Sequence, residues 1–289
     1  MKRRFKCVLI LGCCLLMLSG CFFKRDTMED IDIYTTIYPI NYLVNCLYSD
    51  NAKIYSIYPG GVDIDTYELS DKRLTEYSKS DLFVFNSLDR DRDYAVDMIN
   101  KNPDLKVIDV SLGMNYTNSV EELWLNPYNY LMMAQNLKTG LNQYITNPYL
   151  LEEIDANYED LQYDLSKLDA TLKETINNAS YKTIVTDNKL FKFLEKYNLT
   201  VLSLDDSEEI LAPTIDEVEK LISDGKIKYI YSIDSESNDI VKGLLEEYDI
   251  ELVTINAMDS IDGGITNSNE SYLTVMNSNI ELLNKELYK

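Results

Sequence analysis

The residues whose types and placement could do chemistry in this chain are, first, its carboxylates. The sequence holds 49 Asp and Glu residues and no histidine. Without imidazole there is no Ser-His-Asp or Cys-His nucleophile, no HExxH zinc site and no His-ligated haem. Acids gain interest at the carboxyl ends of strands, because ligands bind there in open α/β sheets. Asp65 lies in the loop Pro59-Gly60-Gly61-Val62-Asp63-Ile64-Asp65, after a strand expected over 53–57. Asp187 directly follows a strand expected over 183–186, and Asp259 follows one over 251–255. Glu122 stands just before Leu123-Trp124-Leu125-Asn126-Pro127, which leads into a helix around Tyr130. Oxygen donors of this kind suit hard divalent cations. On position alone, a solvated loop acid is the default reading of each.

The elements that must position these residues alternate. Strands are expected over 31–36, 53–57, 81–85 and 106–110, with helices over 42–48, 70–78 and 94–100 between them. The alternation resumes with strands over 183–186, 201–204, 228–232 and 251–255. Helices are expected over 189–197, 214–223 (opened by a Thr214/Glu217 capping box), 239–248 and 272–287. Such alternation implies βα units and mostly parallel sheets. Between the two runs, Leu151, Ile154, Tyr158, Leu161, Leu165, Leu168, Leu172 and Ile176 make one apolar stripe at helical spacing. Pro148 and Asn177-Asn178 mark the ends of that single long helix. The fold class is therefore α/β: two lobes with mostly parallel sheets joined by one long rigid helix. No sequence repeat relates the lobes.

The 289 residues suffice for a real core at 45% hydrophobic content. A formal charge of −22 argues against nucleic acid as a partner and weakly favours cations. Lys2, Arg3, Arg4 and Lys6 precede an apolar run from Cys7 to Leu18, too short for a comfortable membrane span. Leu18-Ser19-Gly20-Cys21 then resembles a lipoprotein cleavage box, in which Cys21 becomes the first residue and carries the lipid. Cleavage takes Cys7, Cys13 and Cys14 away, leaving Cys46 as the sole free thiol and no intramolecular disulfide. Cys46, Met132, Met133, Met258 and Trp124 read as packing residues. Asp32, Asp63 and Asp234 read as solvated acids or strand-end caps. No GxSxG, GxGxxG or GxxxxGK[ST] motif is present, so catalysis is not expected.

Several segments, in order, resemble the metal-binding class of ABC-transporter solute-binding proteins, which deliver zinc or manganese to a permease. Tyr34-Thr35-Thr36-Ile37-Tyr38-Pro39 resembles the family's first strand and turn. Gly61-Val62-Asp63-Ile64-Asp65-Thr66-Tyr67-Glu68 resembles its G-V-D-P-H-x-Y-E loop, and Glu122 to Pro127 resembles H-x-W-L-x-P. Thr186-Asp187 through Phe191, Phe193, Tyr197 and Leu199 resembles the segment with a His or Glu ligand. Asp259-Ser260-Ile261 resembles D-S-[IL], and Ser271-Tyr272-Leu273 through Met276, Asn279 and Leu283 resembles the closing helix.

The resemblance implies a cation in the cleft between lobes, with Asp65, Glu122, Asp187 and Asp259 as ligands. Asn188 replaces Asp187 if the alignment carries a one-residue gap. It also implies an ABC permease as partner, a monomer, and attachment to the outer face of a bacterial membrane through Cys21. The expected organisation is a signal peptide over 1–20, a lipid-anchored tether over 21–30, lobes over 31–147 and 179–289, and a linking helix over 148–178. Where the family has histidine, this chain has acids. The four-carboxylate site would carry −4 empty, and some groups would take up protons unless cations or water intervene. Imidazole suits zinc and carboxylates suit manganese, so the expected cargo is a divalent ion with manganese ahead of zinc. The alternative is a family member that has lost its metal and binds another ligand.

Overall fold

A computed structural model describes residues 26–59, 62, 64, 66–205, 212–233, 237–258 and 271–289. Four parallel strands form the first sheet: β1 (Ile31–Thr35), β2 (Ala52–Ser56), β3 (Leu82–Phe85) and β4 (Lys106–Asp109), in the order β2-β1-β3-β4. Four more form the second: β5 (Thr183–Thr186), β6 (Thr200–Ser203), β7 (Tyr229–Ser232) and β8 (Glu251–Thr254), in the order β6-β5-β7-β8. The two lobes thus share one topology. In each, the strand order reverses between two central strands, which opens a crevice beyond their carboxyl ends. β3 is Leu-Phe-Val-Phe with every residue buried, as a strand covered on both faces requires.

Helices α1 (Tyr38–Tyr48), α2 (Asp71–Tyr77), α3 (Asp91–Lys101), α4 (Glu122–Leu125) and α5 (Pro127–Tyr144) belong to the first lobe. α6 (Pro148–Asn178) follows, with Asn147 capping Tyr149 N and Pro148 in the first turn. Its 31 residues span about 46 Å. The buried stripe starts at Leu150, and Leu151 is only half buried. This stripe packs on α1 and α5 from one lobe and on α9 (Tyr272–Leu287) from the other, so α6 links both.

Four local expectations change. Residues 190–197 form a 3-10 helix, Leu190–Tyr197, rather than an α-helix. Phe191, Leu194 and Tyr197 are buried three residues apart, which suits three residues per turn. α7 (Ala212–Ser223) already contains Ala212 and Pro213, so Thr214 is inside the helix and is not its cap. Residues 26–29 lie against the first lobe: Asp26 N donates to Tyr144 O at 2.9 Å, Tyr48 Oη donates to Met28 O at 2.6 Å, and Met28 is buried. Residues 26–29, expected within a tether over 21–30, thus pack with the first lobe. Met133 and Met258 are buried, but Met132 is exposed. α8 (Asp239–Glu247) completes the second lobe, capped by Asn238.

Candidate functional site

Glu122 opens α4 and is buried. Its Oε2 accepts from Thr117 N at 3.2 Å, and its Oε1 accepts from Asn118 N at 3.1 Å and Asn118 Nδ2 at 2.6 Å. The carboxylate thereby ties the preceding loop to α4. Asn126 caps α5 through Tyr128 N, and Asn129 Nδ2 donates to the Glu122 carbonyl at 3.1 Å. Trp124 packs as expected and fastens this turn to the second lobe: its Nε1 donates to Ala257 O at 2.7 Å. Tyr272 Oη donates back to Trp124 O at 2.5 Å. The Glu122 turn therefore meets the strand exit that leads, two residues on, to Asp259.

Asp187 sits at the carboxyl end of β5, beside β7, at the point where the second sheet reverses its order. It is buried, and its amide donates to Tyr231 O at 3.0 Å. Its carboxylate accepts from Ser232 Oγ and from Asn188 Nδ2, the latter at 2.8 Å. Asn188 Oδ1 accepts from Leu190 N at 3.0 Å, so Asn188 shapes the turn into the 3-10 helix with both ends of its amide engaged.

Asp65 and Asp259 lie outside the described residues, as do Cys21, Asp63 and Asp234. Among the described residues, no group of three or more Cys, Asp or Glu side chains converges as a metal site would require. Any such group must therefore include residues outside the described ones, as the expected set does with Asp65 and Asp259. Asp32 is exposed, as expected of a solvated acid.

Glu122 borders an open cleft of about 510 Å³ between Asn118 and Asn126 on one side and Lys192, Glu195 and Lys196 on the other. Lys196 Nζ donates to Asn126 Oδ1 at 2.5 Å, bridging the lobes, and lies 3.9 Å from Asp169 of α6. Burial lowers the Lys196 pKa, and the nearby Asp169 charge opposes that. The cleft wall is thus mixed in charge. The two lysines escape a search for ligand types, although their four-residue spacing beside the Asp187 segment is visible in the sequence. Cys46 is half-buried beside Tyr42, and burial pushes its thiol up to about 11, which makes it inert at neutral pH.

The zinc-binding lipoprotein AdcA of Streptococcus pneumoniae strain R6 is 22% identical over 301 residues, covering 96% of this chain and 60% of its own length. This chain thus spans less than two thirds of that relative. The high-affinity zinc uptake system protein ZnuA of Bacillus subtilis strain 168 is 20% identical over 321 residues, covering 99% of both. The crystal structure of the Zn(II)-bound ZnuA-like domain of S. pneumoniae AdcA superposes with a TM-score of 0.72 at 22% identity, over 90% of this chain and 100% of that one. The family model for the periplasmic zinc-uptake complex component A, ZnuA, matches residues 33–286. Sequence order, two reversed parallel sheets and a long linking helix meet in one conclusion: the chain belongs to the ZnuA family of solute-binding proteins.

Proposed function

We propose that this chain captures a divalent metal ion in the cleft between its lobes and hands it to an ABC permease, while a lipid on Cys21 holds it at the outer face of the membrane. The observation that carries this reading is the bond from Trp124 to Ala257, which joins the Glu122 turn to the segment leading into Asp259. The ligands are Asp65, Glu122, Asp187 and Asp259, and Asp187 is preferred over Asn188 because a charged carboxylate binds a hard divalent cation more strongly than a neutral amide. Capture requires no catalysis and one copy of the chain. Relatives are named for zinc, but a histidine-free oxygen set favours manganese. Replacing Cys21 with Ala should release the protein from membranes.

A second reading has its own support. Both described carboxylates already accept protein hydrogen bonds, and two lysines line the cleft. In that reading the fold has lost its metal and takes a polar solute. Thermal unfolding of the metal-stripped protein against manganese, zinc, calcium and magnesium separates the two. A ligand at 100 times its Kd adds about 2.7 kcal/mol, or roughly 5 to 10 °C. A shift of that order with manganese, absent in Asp259→Ala, supports capture. A larger shift with zinc at equal concentration rejects the manganese preference. No shift with any ion leaves the second reading.

A further inference from the structure

The start of α3 carries a cluster that the cleft does not use. Asp91 is 2% exposed, and its Oδ1 accepts from Tyr58 Oη at 2.8 Å. Tyr58 is the residue before Pro59, where the loop containing Asp65 begins. The neighbouring Arg90 donates through Nη2 to the carbonyl of Tyr67, two residues beyond Asp65. Its guanidinium lies 5.9 Å from the ring centroids of both Tyr58 and Tyr94. The rings of Tyr58 and Tyr67 meet edge to face at 6.3 Å, as do those of Tyr58 and Tyr94. Arg73 of α2 donates to the Tyr67 hydroxyl, and Tyr94 Oη also reaches Leu69 N at 3.4 Å. Both ends of the segment 59–66 are thus fastened to one helix start, and Arg90 sits among tyrosine rings that a cation favours.

We infer that Arg90, with Asp91, Tyr58 and Tyr67, is a positioning clamp for the loop that carries Asp65, so that it sets metal affinity without touching the ion. This rests on the metal reading above. The reason is general: a ligand on a loop binds well only if the loop is already held, and outer partners of metal ligands change affinity by about 10- to 100-fold. Arg90 suits the role better than a bulky apolar residue would. It fills the space between rings and also satisfies the Tyr67 carbonyl. Asp91 fixes the other end by holding the Tyr58 ring in place.

The test uses the whole chain, purified in detergent, with manganese and zinc as probes. Arg90 is half-buried, so Arg90→Met should fold. Manganese affinity should fall about 10- to 100-fold by calorimetry. Amide exchange over residues 59–66 should quicken, while exchange in β5 to β8 stays unchanged. Arg90→Lys, which can still donate to the carbonyl, should recover part of the affinity. Unchanged affinity with quickened exchange would overturn the positioning role. Unchanged exchange would overturn the clamp itself. If the unsubstituted protein binds neither ion, the metal reading fails and with it the effect on affinity, while the exchange comparison still decides whether the clamp exists.

Discussion

Glu286 of α9 has no exposure, yet its Oε2 accepts the amides of Lys228 and Tyr229, each at 3.0 Å, and its Oε1 pairs with Lys289. Glu286→Ala would strand two amides at the start of β7, costing about 3 kcal/mol in urea unfolding. Glu122 plays a similar local part, so Glu122→Gln separates two roles. Loss of stability by about 1 kcal/mol with the manganese shift intact would make it only a loop cap; loss of the shift would make it a ligand. Asp91 adds a pH dependence. Burial lifts its carboxyl from the ordinary 3.8 to about 6, against the hydroxyls of Thr36 and Tyr58, which favour its charged form. The folded chain holds this proton more tightly than the unfolded one. Asp91 therefore contributes stability below about pH 4 that is lost as pH rises through about 6, by up to about 3 kcal/mol. Asp91→Asn should flatten that part of the curve in chemical denaturation between pH 4 and 7. None of these roles was legible in the sequence, because a lone Asp or Glu in an acidic chain looks the same solvated or buried. Trp124 was legible as packing, but the carbonyl that its indole meets was not.

At the scale of elements, β5 and α9 fall where pattern places them, because their apolar runs are bounded by clear breakers. The stripe of α6 was equally clear, since seven of its eight expected positions are buried. Leu165→Ala at its centre should cost about 2–5 kcal/mol in thermal or urea unfolding. The 3-10 character of Leu190–Tyr197 was not foreseen, because a spacing of three also satisfies an α-helix over so short a run. Gly140 on α5 shows what helix periodicity leaves out. A Cβ there would lie 2.7 Å from Ile108 Cγ2 and 2.8 Å from its Cγ1, so the glycine lets α5 approach β4 closely. In a free helix, Gly→Ala would gain about 1 kcal/mol. Here overpacking costs about 1–3 kcal/mol, and the buried Ile108 cannot swing away, so Gly140→Ala should lower the melting temperature.

For the whole molecule, alternating β and α patterns announced two lobes and parallel sheets, but not the strand order. That order is a matter of which strands find each other across the chain, and the lobes reach the same answer without a visible sequence repeat. α6 packs on helices of both lobes, and Trp124, Lys196 and Tyr272 bond across. Small-angle scattering of empty and metal-loaded protein should therefore give nearly superimposable profiles; a clear contraction would show that these fastenings yield. Tyr272 has one more consequence. Its ring stacks on Tyr130 at 4.1 Å and meets Tyr42 at 5.7 Å, so a residue of the second lobe completes the core of the first. While the chain is being made, the first lobe lacks this plug until residue 272 has emerged. Contacts between residues so far apart in sequence form late. Under the attachment to the outer face of a membrane proposed above, the chain would have to cross as an unfolded thread, and such a delay would keep its final lock open until most of the thread has gone through.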